Sequence, residues 1–475
     1  MIAQFPRYAV LQSTGLPWVP QIPKHWHIRR NGGLFSQRVE TGFPELPILE
    51  VSLRTGVRVR DMENIQRKQV MGQREKYKRA AKGDIAYNMM RMWQGALGVA
   101  PVDGLISPAY VVARPYEGVN SAYYSYLYRI DAYLREVNKF SRGIVSDRNR
   151  LYWVGFKQMP ALLPPVEEQD QIVAYLRAQD AKIARFIRDK RRLIELLNEQ
   201  KQMLIHRAVT RGLDRNVRLK PSGLEWLGDV PEHWNVMPLK AVATVAFSGV
   251  DKLTEEGETP VLLCNYTDVY RNEKITSELA FMKATASPHE IARFALRKGD
   301  VLMTKDSETP DDIGVPAWVS EDISGVVCGY HLALLRPRGA VAVGSFIYRA
   351  LCAPHVANQF RVAAAGVTRF GLAKRDIQTA VIAVPPIAEQ LNIVEWLENE
   401  TAELHKATSG AKAEIDLMRE YRDRLVADVV TGQIDVRSWV PGPDDVTDEV
   451  IEALDDEDDA AMDEQGVDDD DSGHE

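Results

Sequence analysis

The chain repeats itself, and the spacing of the repeats constrains its fold more than any other feature. PPVEEQDQIVAYL (164–176) returns as PPIAEQLNIVEWL (385–397), at an offset of 221. AVTRGLD (208–214) returns as VVTGQID (429–435), at the same offset. Equal offsets at both ends require intervening segments of equal length. Each copy also opens alike, at an offset of 208: TGLPWVPQIPKHW (14–26) and SGLEWLGDVPEHW (222–234). Between these marks, KGDIAY (82–87) answers KGDVLM (298–303), and LGVAP (97–101) answers IGVPA (313–317).

The equal segments read as long helices. Residues 167–209 contain neither Gly nor Pro and carry a heptad seam. Val173, Ile187, Ile194 and Ala208 hold one seam position, and Leu176, Ile183, Leu197 and Leu204 the other. Such a helix is roughly 65 Å long at about 1.5 Å per residue, which suits a spacer better than a core element. The second copy repeats the seam with Val394, Ile415 and Val429, and with Leu397, Leu404, Met418 and Leu425. It is the weaker seam, because Thr401, Thr408 and Ala411 occupy it and Gly410 lies inside it, as a kink or a point of close approach. Asp180, Lys190 and Lys201 are polar seam residues of the first helix and read as register-setting. A Pro-Pro step precedes each helix, and acidic residues fill its first turn, where the helix dipole favours them.

A long stretch of mixed pattern separates each Trp-containing opening from its helix. Short β-rich runs at 46–53, 109–113, 260–264 and 331–335 alternate with Gly- and Pro-marked turns, and helical stretches lie near 121–139 and 343–362. The expected class is α+β: two pseudo-repeated α/β globules (1–165 and 217–386) and two long helices (166–216 and 387–437) forming an antiparallel coiled coil. A disordered acidic tail (438–475) completes the plan.

Charge divides unevenly along this plan. The net charge of −8 includes 17 Asp and Glu with no Lys or Arg in residues 444–475, leaving −8 + 17 = +9 elsewhere. Residues 1–165 hold 24 basic against 12 acidic residues, and residues 217–386 hold 18 against 19. The first globule has the footprint of a polyanion binder, while the second shows none in bulk. The three cysteines, Cys264, Cys328 and Cys352, form no close pair, which fits a reducing compartment and argues against a Cys-based metal site. No apolar run reaches the roughly 18–20 residues of a membrane span, and the expected location is the cytoplasm.

Marks of catalysis are missing from the sequence. No Gly-rich phosphate loop ends in Gly-Lys-Ser/Thr. His289–Glu290 begins like a zinc-protease helix, but Arg293 stands where the second His is needed. The Pro-Pro pairs are helix starters, not part of an adenine methyltransferase motif. Binding features are more plentiful. YNMMRMWQG (87–95) places Arg91, Trp93 and Gln94 beside a Gly; Arg can pair bidentately with guanine and Gln with adenine. The competing reading makes the methionines and Trp93 core, with Arg91 capping them. RGIVSDRNRL (142–151) supplies Arg142, Arg148 and Arg150 on a loop, and AGVTRFGLAKRD (365–376) supplies Arg369, Lys374 and Arg375 at the equivalent place. TKDSETPDD (304–312) mixes Lys305 with acidic residues and either reads bases or binds nothing. His25–Trp26 and His233–Trp234 read as anchors packing each opening against its globule.

The two Gly-Leu-x-Trp…Pro-x-His-Trp openings, the two Pro-Pro-x-x-Glu-Gln…Ile-Val helix starts and the LIELLNEQKQMLIHRAVTRGLD segment resemble the specificity subunit of type I restriction–modification systems, over residues 13–437. The resemblance implies a noncatalytic chain whose globules each read half of a split site in double-stranded DNA, with the helices setting the gap. It implies methyltransferase partners, two of them, and restriction translocase-nuclease partners. S-adenosylmethionine, ATP and Mg would sit on those partners, with no cofactor or metal in this chain. The acidic tail is not part of that pattern. Two other readings stay open on sequence alone: a stand-alone DNA-modifying or DNA-cleaving enzyme, and a coiled-coil scaffold without a nucleic-acid role.

Overall fold

The computed structural model describes residues 6–53, 56–60, 74–143, 149–255, 257–443 and 445. The acidic residues 446–475 lie outside the described residues, as does Arg148. The chain divides into two compact units: residues 1–192 with 411–475, and residues 193–410. Each long helix is therefore shared, its two halves belonging to different units.

The first unit is built on a four-stranded antiparallel sheet in the order Phe35–Arg38, Tyr110–Pro115, Ile85–Asn88, Leu97–Val99. The second repeats that order with Ala243–Phe247, Leu332–Pro337, Val301–Thr304 and Pro316–Val319. A short strand, Lys274–Ile275, extends the second sheet in parallel. The second unit also carries a separate three-stranded sheet of Met282–Ala286, Thr259–Cys264 and Val326–Cys328, which shares an apolar core with Leu302, Ala317, Val319 and Leu334 of the main sheet. The run at 260–264 lies in a strand, those at 109–113 and 331–335 enter strands at Tyr110 and Leu332, and the run at 46–53 contains the strand Leu49–Ser52. Each expected helical stretch is a pair. Pro354 cannot continue a helix, so 343–362 divides into Gly344–Leu351 and Pro354–Ala363. The stretch near 121–139 divides into Ser121–Leu127 and Asp131–Phe140, with Ile130 extended between them.

The long helices run Val166–Arg211 and Ile387–Val430, 46 and 44 residues. In the first unit Asp180 meets Arg422 and Lys190 meets Glu414, at 2.7 and 2.5 Å. Residue numbers rise on one helix as they fall on the other, so the pair is antiparallel there. Leu176, Ile183 and Ile187 are buried on this stretch of the first helix, as are Ala411, Ile415 and Leu425 on the second; Met418 is half-buried. In the second unit Ile205, Ala208 and Val209 share a core with Ile393, Val394 and Leu397. Ile194, Leu197, Leu204 and Leu404 are half-buried there. The polar seam residues are all engaged. Asp180 is buried and also accepts a hydrogen bond from Tyr126 Oη at 2.7 Å, while Lys201 pairs with Glu273. Burial pushes the Glu273 carboxyl up, but Lys201, Arg349 and His405 outweigh it and hold the group below the usual carboxylate range.

The repeated motifs prove to be one joint, built twice. Trp26 and Trp234 are fully buried in their respective units. Beside them, His25 Nε2 lies 2.7 Å from Glu168, and His233 Nε2 lies 2.7 Å from Glu389, each Glu in the first turn of a long helix. The adjoining Gln169 and Gln390 are buried; each donates to its Pro-Pro carbonyl, at 2.9 and 2.8 Å. Each also accepts a backbone N–H at 2.9 Å, from Asn120 and from Val343, where the first helix of the paired stretch begins. A helix start, an opening and a globule helix are thus tied at one point.

Each long helix also ends against the opening of a unit. Gly212 and Gly432 have φ of 72° and 70°, in the left-handed region that ends a helix. A Cβ on Gly212 would meet Trp234 at 3.2 Å and Glu389 at 3.1 Å; one on Gly432 would meet Pro23 at 2.4 Å. The second long helix stops at Val430, short of the expected 437, and the chain turns at Gly432, where Pro23 leaves no room for a side chain. Gly410 is different: it lies within the helix with open space where a Cβ would go, so close approach does not explain it.

Candidate nucleic-acid interface

Lys305 and Asp306 follow directly from the central strand Val301–Thr304 of the second unit. Asp306–Ser307 pairs with Phe370–Gly371, which pairs back on Ala365–Gly366, so residues 365–371 form a hairpin beside the strand end. Leu372 N donates to Lys305 O at 2.8 Å and fixes the hairpin there. The sequence stretches 304–312 and 365–376 are thereby brought together.

The side chains form one connected polar cluster. Arg369 Nη2 donates to Asp306 Oδ1 at 2.8 Å, and His331 Nδ1 lies 2.9 Å from Asp306 Oδ2. Lys305 Nζ sits 4.5 Å from the Tyr330 ring centroid and 5.3 Å from that of Phe247. Tyr330 is about half exposed and meets His331 edge-on, and Arg369 is exposed. Tyr266 and Tyr270 stack nearby, with Tyr270 Oη donating to Asp312 at 3.0 Å. An exposed guanidinium, an ammonium over an aromatic face and several phenols offer charge, stacking and base-edge hydrogen bonding together. Lys374 and Arg375 lie just beyond, on the short helix Lys374–Thr379, with Arg375 exposed.

The first unit makes the same junction from different residues. Met89, after the strand Ile85–Asn88, accepts a hydrogen bond from Leu151 N at 2.9 Å, the counterpart of the Lys305–Leu372 bond. Arg142 and Arg150 bond each other through their backbones at 3.0 and 2.9 Å, and both are exposed. The stretches 87–95 and 142–151 thus adjoin as their counterparts do. Arg91, Trp93 and Gln94 have different surroundings. Trp93 packs partly buried on the core, its Nε1 donating to Met90 O at 2.9 Å, and Arg91 is half-buried at the start of the turn Met92–Gln94. Gln94 is exposed and lines a groove of about 990 Å³ with Arg129, Arg135, Arg177 and Arg422. His331 and Tyr330 were not legible as part of a site, since neither carries a local motif; the signal was the neighbouring stretch with Lys305 and Asp306.

Catalytic groupings are not evident among the described residues. No group of three or more His, Cys, Asp or Glu there could hold a metal ion. Burial pushes all three thiols up, that of Cys352 to about 11, so none is a ready thiolate at neutral pH. Among the described residues no helix is long and apolar enough to cross a membrane.

No protein-family model matches the chain. A 148-residue stretch is 26% identical to the specificity subunit of the type I restriction enzyme MjaVIII from Methanocaldococcus jannaschii, covering 31% of this chain and 33% of that protein. The alignable chain thus spans about a third of that relative's length. In fold, the chain is similar to one solved in a study of complex assembly and conformational transition of the type I restriction–modification system. The TM-score is 0.61 at 16% identity, covering 87% of this chain and 99% of that one. The HsdS subunit from Thermoanaerobacter tengcongensis aligns with a TM-score of 0.42 at 16% identity, over 87% of this chain and 97% of that one. A stretch of the chain is thus similar in sequence to one type I specificity subunit, and its α+β fold with long helices is similar to that of the chain solved in the assembly study.

Proposed function

We propose that this chain is the noncatalytic specificity subunit of a type I restriction–modification complex, reading a split, asymmetric site in double-stranded DNA. Each unit reads one half through the junction where its central strand meets the 142–151 or 365–376 segment. The observation that carries this reading is the repeated junction: the same backbone bond, Leu151–Met89 and Leu372–Lys305, joins the same two segments in both units. A common frame with different side chains is what two half-sites of different sequence require. Double-stranded DNA binds first through phosphates, which Arg142, Arg150, Lys374 and Arg375 suit, and bases are read by groups such as Arg369 and Lys305. In this reading the methyltransferase subunits, two of them, and the restriction translocase-nuclease subunits bring S-adenosylmethionine, ATP and Mg. The assembly works in the cytoplasm.

The test is a methylation map in cells with and without this chain, alongside the purified chain assayed alone and with its methyltransferase. One split motif should lose methylation without the chain, and the chain alone should neither methylate nor cut. Activity of the chain alone would sink the reading. A heptad inserted within residues 176–204 should change the tolerated spacer and leave the bases unchanged; altered bases would deny the helices a spacing role.

A further inference from the structure

The hairpin 365–371 of the second unit is held firmly at its base and is bare at its tip. Phe370 and Leu372 pack on the core of the unit, and Gly366 pairs with Phe370. A Cβ on Gly366 would meet Arg369 O at 2.0 Å, so the backbone closes tightly across the turn. The three residues inside that pair, Val367, Thr368 and Arg369, are all exposed, and Val367 is 92% exposed. A single exposed valine is ordinary on a protein surface and says nothing alone. Its neighbour two residues on gives it meaning.

Arg369 is held in place. Its Nη2 donates to Asp306 Oδ1 at 2.8 Å, and His331 Nδ1 lies 2.9 Å from Oδ2, so the carboxylate is engaged on both oxygens. The Asp306 side chain is 16% exposed and that of Arg369 58%. This pairing has two consequences that point the same way. It offsets the charge that would draw Arg369 to a phosphate, an attraction that needs no fixed orientation. It also fixes a planar fork of N–H donors, which suits a directional, bidentate contact. In duplex DNA the matching acceptor pair is the O6/N7 edge of guanine, in the major groove. Val367 matches the apolar group that a base edge presents there, the C5-methyl of thymine. The major groove is about 12 Å wide and admits a two-stranded ribbon, whereas the minor groove is about half that width.

We propose that the hairpin 365–371 enters the major groove of the half-site read by the second unit, with Arg369 pairing bidentately with a guanine and Val367 covering a thymine methyl. Asp306 and His331 are positioning residues, acting through Arg369. Cα atoms two residues apart are separated by at most about 7 Å, or about two base-pair steps, so the two bases stand close together. The proposal rests on the reading of this chain as a DNA-specificity subunit and adds to it the groove, the element that enters it and two of the bases.

The experiment selects sites from a random-sequence duplex library with the full chain and its methyltransferase, wild type or variant. Arg369→Ala should lose the preference at one guanine by roughly 5- to 150-fold, and Val367→Ala the preference at one nearby thymine by about fourfold. The other half of the motif should be unchanged. In the selected duplex, 7-deazaguanine at that guanine should weaken the wild-type complex several-fold and the Arg369→Ala complex not at all. Uracil at that thymine should separate wild type from Val367→Ala in the same way. Direct contact requires this non-additivity, which a merely structural role does not produce. Asp306→Asn should blunt the guanine preference while affinity for random duplex holds or rises, because a negative charge leaves the surface; loss of both overturns its positioning role. A selection that enriches no split motif overturns the specificity-subunit reading and this proposal with it. A split motif whose preferences all survive Arg369→Ala, or modified bases that weaken wild type and variants equally, overturns the hairpin proposal alone.

Discussion

The two units share a frame and differ in what the frame presents. Strand order, the His–Glu and Gln–Pro ties at the helix starts, the buried Trp and the backbone bond at the junction are the same in both. At the junction itself, Met89 and Met90 stand in the first unit where Lys305 and Asp306 stand in the second. What recurs is therefore architecture, and what diverges is the presented surface. The bulk charges invert the expected ranking: the second unit, with 18 basic and 19 acidic residues over 217–386, holds the more elaborate cluster. In the proposed reading, recognition there is local, with Asp306 aligning Arg369 and His331 instead of a broad positive field.

If the frame is truly common, breaking it must cost the two units alike. Trp26→Ala and Trp234→Ala each empty a fully buried indole site, at about 3–5 kcal/mol. Hydrogen exchange under mild denaturant, read separately in residues 6–165 and 217–386, should show each variant loosening its own unit by a similar amount. A full loss of protection in one unit beside none in the other would break the equivalence.

One histidine pair, its His355 buried, belongs to the second unit and should make it the acid-sensitive one. His206 and His355 contact each other through Nδ1 at 3.0 Å, and Trp226 stacks on His355. The counterpart of His206, at the offset of 221, is Ala427. Burial, and then His206, push His355 down to about 4. Unfolded, the same imidazole takes a proton near 6.5, so between 6.5 and 4 the unfolded chain binds the extra proton. The contribution of neutral His355 is thus complete above pH 6.5 and is lost as pH falls toward 4, by up to about 3 kcal/mol. His355→Gln should flatten this slope in the second unit; an unchanged slope would assign the acid sensitivity elsewhere.

The divergent surfaces should separate by half-site. Arg369→Ala is expected to weaken one half by about 1–3 kcal/mol, roughly 5- to 150-fold, and Arg142→Ala the other by a comparable or smaller factor. Duplexes altered in one half at a time distinguish the cases. Loss on both halves from either substitution would contradict reading by separate units.

The helices were legible because a heptad seam and a constant offset are periodic signals, and periodicity survives without tertiary information. The seam positions Asp180, Lys190 and Lys201 were readable as unusual, but their partners Arg422, Glu414 and Glu273 could not be, since each comes from a distant part of the chain. The Glu-Gln of the helix starts was visible as a motif, yet its role depends on His25, Asn120 and their counterparts, which only the fold brings beside it. Arg369 was found because it stands on a basic loop; His331 was not, because a histidine at the start of an apolar strand looks like any other until Asp306 faces it. Trp93 shows the reverse: its basic neighbour suggests an exposed reading surface, whereas Met92 beside it is fully buried and draws the turn inward.

The smallest effect tests the one asymmetry between the helices that sequence alone raised. Three glycines bear on them, and their surroundings assign opposite signs to the same substitution. Gly410 is helical, and a methyl there would meet nothing within 4 Å. Gly410→Ala should stabilise by about 0.5–1 kcal/mol, by reducing the freedom lost on folding. Gly212→Ala and Gly432→Ala place the same methyl at positive φ against Trp234 or Pro23 and should destabilise by more than that. Thermal unfolding of the three variants decides the matter. A destabilised Gly410→Ala would mean that the helix needs its glycine for bending, and that the weaker second seam is a working feature, not merely a poorer copy of the first.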